Sequence, residues 1–417
     1  MTSRERLQKT LNHEPVDRLC VDFGGTAVTG IAASSVSQLR KALLGDPSFR
    51  VKVIEPYQML GEIDDDLREA LGIDVIGIPT RKTLFGFENK NWKPFTMFDG
   101  TEVLIPGNFN VTAEANGDLL IHPEGDTTVA PSGRMPKNGY YFDAICRQDP
   151  LDDEKLNPAD NLEDFSHLRE DDLAYYDEQA ERAAKSNKGV IITVPGTGFG
   201  DIALVPGMWM KKTKGIREIE EWYVSTVTRR DYVVKVFEGQ CEIALKNLER
   251  MIATVGDRAQ VAFVTGTDFG TQNRSFISRK TYRDLYQPFH KIITEYIHKH
   301  SRWKTFIHSC GSVIDLIPDF IESGFDVLNP VQCSAVGMDA KALKREFGKE
   351  LVFWGGGVDT QRTLPFGTPE EVYREVRERI EIFGEGGGFV FNAIHNIQAR
   401  VPVENVLAMF RAIKEKE

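Results

Sequence analysis

From Gly189 onward, short runs of β-branched and aromatic residues alternate with longer stretches in which apolar residues recur every three or four positions. The runs fall at 190–194, 261–264, 305–307, 326–328, 351–354 and 389–391. Between two of them, Val233, Phe237, Cys241, Ala244, Leu245, Leu248 and Ile252 have the period of an amphipathic helix. Upstream, 18–23 and 74–78 read as two further strands, with helical patterns around Val36, Leu39 and Leu43 and around Leu67 and Leu71. A leading helix is expected to be capped by Ser3, to carry Leu7 and Leu11 on one side, and to stop at His13-Glu14-Pro15. Eight strands, six of them in regular βα rhythm, predict an α/β chain folded as a single (β/α)8 TIM-type barrel across 1–417. A doubly wound sheet is the rival, but such sheets rarely run to so many βα units.

The stretch from about 82 to 141 breaks the rhythm. Period-two segments at 101–105, 110–112 and 119–122 are separated by Gly107-Asn108 and Asn116-Gly117-Asp118. Asn-Gly between alternating runs signals a hairpin. This stretch is therefore expected to be an antiparallel hairpin insertion after the second barrel strand, not a domain of its own.

Composition narrows the function. At 41% hydrophobic and 27% charged, the 417 residues are those of an ordinary globular protein, and a core of that size needs no disulfides. A net charge of -11, with basic residues scattered apart from Lys211-Lys212-Thr213-Lys214, argues against nucleic-acid binding. The N-terminus lacks the apolar stretch of a signal peptide, and no apolar run approaches the roughly 18–20 residues of a membrane helix. Five cysteines at irregular spacing do not form a disulfide framework, so a cytoplasmic, reduced setting is expected.

In a barrel of this type the chemistry sits where the strands end. The first strand is followed by Asp22-Phe23-Gly24-Gly25-Thr26, the third by Pro195-Gly196-Thr197-Gly198-Phe199-Gly200-Asp201, and the fourth by Thr265-Gly266-Thr267-Asp268-Phe269-Gly270. The fifth gives His308-Ser309-Cys310-Gly311, the sixth Asn329-Pro330-Val331-Gln332-Cys333, the seventh Gly355-Gly356-Gly357-Val358-Asp359, and the eighth Asn392-Ala393-Ile394-His395. H-x-C places an imidazole and a thiol where both can reach one borderline-soft ion such as Zn2+, and Gly311 permits an unusual turn beside them. Alone the pair is weak, since a buried Cys beside a hydrogen-bonded His is commoner. Cys333 and His395 at the same rim strengthen it. Cys20 and Cys241 read as core. Asp22 and Asp268 are candidate acids or bases, and Phe199, Asn329 and Gln332 candidate substrate contacts. The Gly196-Thr197-Gly198-Phe199-Gly200 loop lacks the rest of a dinucleotide fingerprint.

His308-Ser309-Cys310-Gly311, Gly355-Gly356-Gly357-Val358-Asp359 and Phe391-Asn392-Ala393-Ile394-His395, in that order, resemble the uroporphyrinogen decarboxylase superfamily. The opening, with Arg4-Glu5-Arg6 and Pro15-Val16-Asp17-Arg18, is similar to that family's start. The decarboxylases carry an arginine-rich segment after the first strand that pairs with substrate carboxylates. Here Val21 to Ile31 contains no arginine, which disfavours a polycarboxylate tetrapyrrole. The resemblance is closest to the zinc- and corrinoid-dependent methyltransferase branch. It implies methyl transfer between a small donor, such as a methoxylated aromatic or methylamine-type compound, and a corrinoid protein. His308 and Cys310 match that branch's zinc pair. Its later Cys is replaced by His395, so His395 or Cys333 is the third ligand, with Asp268 a conceivable fourth. A metal-free decarboxylase or lyase, and a non-catalytic binding barrel, are the rival readings. A homodimer is compatible with all three.

Overall fold

A computed structural model of the chain describes residues 1–162 and 165–415. Eight parallel strands form one sheet, and each lies where the hydrophobic pattern puts it: Cys20–Val21, Val75–Ile78, Gly189–Thr193, Val261–Thr265, Lys304–His308, Val327–Asn329, Val352–Trp354 and Phe389–Phe391. They are called barrel strands 1 to 8 below. Strand 1 pairs in parallel with strand 8, and parallel pairing continues in order back to strand 2. At the remaining seam the Asp74 N–H donates to the Val21 carbonyl at 2.8 Å, and the Val21 N–H donates to the Asp74 carboxylate at 3.1 Å. Strand 1 is shorter than expected because the chain turns straight into a tight loop, in which the Gly24 N–H donates to the Thr29 carbonyl at 2.8 Å.

Alternate side chains of the strands meet inside the barrel. Cys20, Val75, Ile191, Val261, Phe306, Val327, Val352, Trp354 and Val390 form one buried cluster, joined by Leu7 and Leu11 of the leading helix, Ser3–Leu11. That helix packs on strand 3 so closely that a Cβ at Gly189 would lie 2.4 Å from Leu7. Its cap is Thr2, not Ser3. The Thr2 hydroxyl accepts from the Glu5 N–H, and the Glu5 carboxylate accepts from the Thr2 N–H at 2.8 Å, a complete capping box one residue earlier than the expected cap. A larger core lies between the strands and the surrounding helices, including Arg230–Val255, Gln287–His300, Pro369–Gly384 and Val403–Lys414.

The segment after strand 2 is β-rich, as its alternation predicts. Val111–Ala113, Leu119–Ile121, Gly133–Met135 and Asp143–Ala144 make a four-stranded antiparallel sheet. The other two strands, Lys93–Thr96 and Glu102–Ile105, do not stand alone. Glu102–Ile105 pairs in parallel with Val51–Glu55, which pairs with Leu60–Gly61. The insertion is thereby stitched to residues that precede strand 2. Phe87, Phe109, Phe142 and Phe85 pack edge to face beneath it, with ring centroids 5.8 to 6.4 Å apart.

Candidate metal centre

The C-terminal ends of the strands enclose a cavity of about 610 Å3. Its walls come from the loops after strands 1 to 4 and from 54–61, and both His308 and His395 reach it. Glycine makes the closest approaches possible. A Cβ at Gly77 of strand 2 would lie 2.0 Å from the Gly25 carbonyl oxygen. Gly311 has φ +86°, and a Cβ there would come within 2.4 Å of Gly270. The loops after strands 4 and 5 therefore touch backbone to backbone beside Cys310.

Strand 5 ends in His308, and Cys310 follows two residues on. Cys310 Sγ lies 3.3 Å from His308 Nε2. The His395 ring, from the end of strand 8, sits 5.7 Å from that of His308, centre to centre. One ligand atom from each of His308, Cys310 and His395 falls within 4.8 Å of the other two. Asn329, at the end of strand 6, fixes how His308 is presented. Its Nδ2 donates to the Trp354 carbonyl at 2.7 Å, so its Oδ1 must accept from His308 Nδ1, at 2.6 Å. The proton is then on Nδ1, and Nε2 offers a lone pair toward Cys310.

Burial pushes the Cys310 thiol well above its ordinary range, and the nearby Asp268 carboxylate adds to the rise. Burial also lowers both imidazoles, His395 to about 3 with help from His308, and His308 against the opposing pull of Asp268. The three groups are thus neutral by themselves, and a thiolate there needs a cation. Two nitrogen donors and one sulfur, with a cavity on the open side, suit a zinc site that keeps a position free.

Asp268 stands beside the group. Its Oδ1 accepts the Cys310 N–H at 2.7 Å and lies 3.8 Å from His308 Nε2. Other residues that the sequence nominated stand further off. Cys333 is outside the group, its side chain packed against the hydrophobic core, with burial raising its thiol to about 11. Asp22 is fully buried behind the loop after strand 1. Its carboxylate accepts from the Gly25 N–H and from Trp354 Nε1, both at 2.9 Å, and burial raises it to about 6. Gln332 accepts the Gly311 N–H at 2.7 Å and so holds the turn beside Cys310. Phe199 points away from the cavity into a cluster with Phe237 and Phe289, because that aromatic core covers it completely. Asn329 and Gln332 therefore brace His308 and the turn beside Cys310, Asp22 holds the loop after strand 1, and Phe199 belongs to the core.

Three cavity carboxyls, Glu55, Asp201 and Glu124, were not nominated. Glu55 ends the strand Val51–Glu55, accepts the N–H groups of Tyr57 and Gln58, and is raised by burial to about 7. Asp201 closes the glycine-rich loop after strand 3 and is raised by burial to about 6. No motif marks Glu55; Asp201 stands at a strand end, where the same positional signal applies. Lys82 is the basic side chain on the wall, and it faces Glu124 at 3.6 Å.

The family model described as uroporphyrinogen decarboxylase (URO-D) matches residues 159–416. Over 151 residues the chain is 30% identical to a methylated-thiol–coenzyme M methyltransferase of Methanosarcina mazei, covering 34% of this chain and 35% of that protein. Over 94 residues it is 31% identical to a uroporphyrinogen decarboxylase of Mannheimia succiniciproducens, covering 22% and 26%. The matched region thus spans about a third or less of either relative. A solved methyltransferase from Methanosarcina mazei superposes over 99% of this chain and 98% of its own, with TM-score 0.55 and 16% identity, a likeness of fold.

Proposed function

Because the chain belongs to the uroporphyrinogen decarboxylase family, we propose that it is a cytoplasmic methyltransferase of that family, moving a methyl group between a small donor and a corrinoid protein. The single observation that carries this reading is the convergence of His308, Cys310 and His395 on one point at the edge of the cavity. These three hold Zn2+, with His395 as third ligand in preference to Cys333. Zinc held there would supply a Lewis acid for the heteroatom or thiol, and the corrinoid of a partner protein would supply a nucleophile for the methyl group. The chain's own residues do the rest. Asn329 and Gln332 orient the ligands, Asp268 anchors the Cys310 backbone, and the apolar walls exclude water. The 30% identity to a methyltransferase supports the same reaction class.

Decarboxylation of a polyanion suits the cavity poorly. Glu55, Asp201 and Asp268 line it, and its lysine already faces a carboxylate. Metal analysis tests the proposal directly. Protein purified without added zinc should carry about one equivalent. Cys310→Ala and His395→Ala should lose most of it, and Cys333→Ser should retain it. Less than about half an equivalent in the parent protein, unchanged by Cys310→Ala, would overturn the assignment.

A further inference from the structure

We propose that Asp201 is the proton donor to the atom the methyl group leaves, so that the donor is a methyl ether or thioether. The inference rests on the methyltransferase reading above and assigns it a catalytic acid. Asp201 lines the same cavity as His308 and His395 but belongs to a different loop, the one after strand 3. Its carboxyl is held in place: the Ala203 N–H donates to Oδ1 at 2.9 Å. Across the loop after strand 4, Gly266 leaves room for it, since a Cβ there would lie 2.9 Å from Asp201 Oδ2. The titratable groups facing it are Asp268 and Tyr223, an acid and a phenol. Among the described residues no lysine, arginine or histidine forms an ion pair with it.

A carboxyl surrounded in this way holds its proton to a higher pH than an exposed one, although the N–H groups of Ala203 and Gly266 pull the other way. Burial raises Asp201 to about 6, and the charge of Asp268 pushes in the same direction. The two acids are thereby given different work. Asp268 is committed to the Cys310 backbone, whereas Asp201 is free to exchange a proton with a ligand in the cavity. Ethers and thioethers need that proton. When the C–O or C–S bond breaks, its electron pair stays on the heteroatom, and Asp201 supplies the proton that forms O–H or S–H. The methyl group bonds to the corrinoid nucleophile through the nucleophile's own electron pair. Asp201 is left as a carboxylate and is reprotonated from solvent. A quaternary ammonium donor releases a neutral amine and has no use for such an acid.

The test uses the zinc-loaded full chain with reduced cobalamin as acceptor. Three probes are compared: 1,2-dimethoxybenzene, whose leaving group is poor, 4-nitroanisole, whose leaving group is good, and tetramethylammonium. Asp201→Asn should lower kcat for dimethoxybenzene by roughly 10²–10⁴ and leave KM nearly unchanged, while the loss for nitroanisole is far smaller. Difference infrared spectroscopy of the loaded protein should show a protonated carboxyl band that titrates at about 6 and vanishes in the variant. Equal losses on both ethers, or a carboxyl already ionised at about pH 5, would overturn the proposal. So would transfer from tetramethylammonium alone, which leaves the methyltransferase reading intact. No transfer from any of the three donors by the zinc-loaded chain overturns the acid assignment, and a chain that takes up no zinc overturns the methyltransferase reading with it.

Discussion

Asn329 decides which nitrogen of His308 faces Cys310. Its amide is committed in both directions, donating to the Trp354 carbonyl and accepting from His308 Nδ1, so the imidazole cannot present the other tautomer without leaving a buried polar atom unpaired. Asn329→Ala removes the acceptor and frees the ring to rotate. Zinc affinity, measured by chelator competition, should fall roughly 10- to 100-fold, as it does when a ligand's supporting partner is lost. Cys333→Ser in the same assay should match the parent protein. Which side chains come together shows what was legible in the sequence. His308 and Cys310 announce themselves because the spacing is local. Cys333 gave the same positional signal as His395, yet only one reaches the centre. A strand-end position fixes height in the barrel but not which way the side chain turns, and the Cys333 N–H, bonded to the Val331 carbonyl at 2.9 Å, marks a tight turn that the sequence did not disclose.

Most barrel strands were legible as elements because they are buried on both faces and so read as short continuous apolar runs. Val51–Glu55 was not. It is five residues long, and its parallel partner Glu102–Ile105 lies beyond strand 2, a pairing no local window contains. The same non-local origin hid Glu55 as a cavity carboxyl. The aromatic packing outside strands 4 and 5 shows a different limit: a helix-borne histidine reads alike whether it is solvated or sealed. His290, on Gln287–His300, is completely buried, bonded through Nδ1 to the Tyr282 hydroxyl at 2.9 Å, with Nε2 unpartnered. Burial lowers it from 6.5 to about 3. Between those values the unfolded chain binds a proton that the folded chain does not, so this group's contribution is complete above about pH 6.5 and is lost on acidification toward 3. His290→Phe keeps the ring packing and removes the titration, while Tyr282 keeps Ser323 as a partner. In urea unfolding, the parent protein should lose about 2 kcal/mol more than the variant between pH 7 and pH 5. Equal losses would show that His290 is already protonated in the fold.

A (β/α)8 barrel works as a scaffold only if its first and second strands meet, because a gap at that seam would let the Gly25 loop and Gly77 of strand 2 drift apart at the cavity. Here the seam is held mainly by one side chain. The fully buried Asp74 carboxylate accepts from Arg6 at 2.7 Å, from Arg18 at 2.7 and 2.8 Å, from the Ser3 hydroxyl at 2.7 Å and from the Val21 N–H at 3.1 Å. It joins the leading helix, strand 1 and strand 2 at the end of the barrel opposite the cavity. Arg6 is itself buried and shared with Asp17, whose carboxyl it holds down to about 2. Asp74→Ala therefore strands a buried guanidinium and unties the seam together. Loss of one partner from such a pair costs about 3–5 kcal/mol, and chemical denaturation should show a fall of that size. A shift below about 1 kcal/mol would mean that Asp17 and the Asp74 backbone close the barrel unaided. Arg18→Ala is the milder variant, since Arg18 is 43% exposed and Arg6 remains to neutralise the carboxylate. If seam and cavity are coupled through the strands, Asp74→Ala should also weaken zinc retention on mild heating, although it lies at the far end of the barrel from every ligand. Retention equal to that of the parent protein would show that the centre depends on strands 5 and 8 alone.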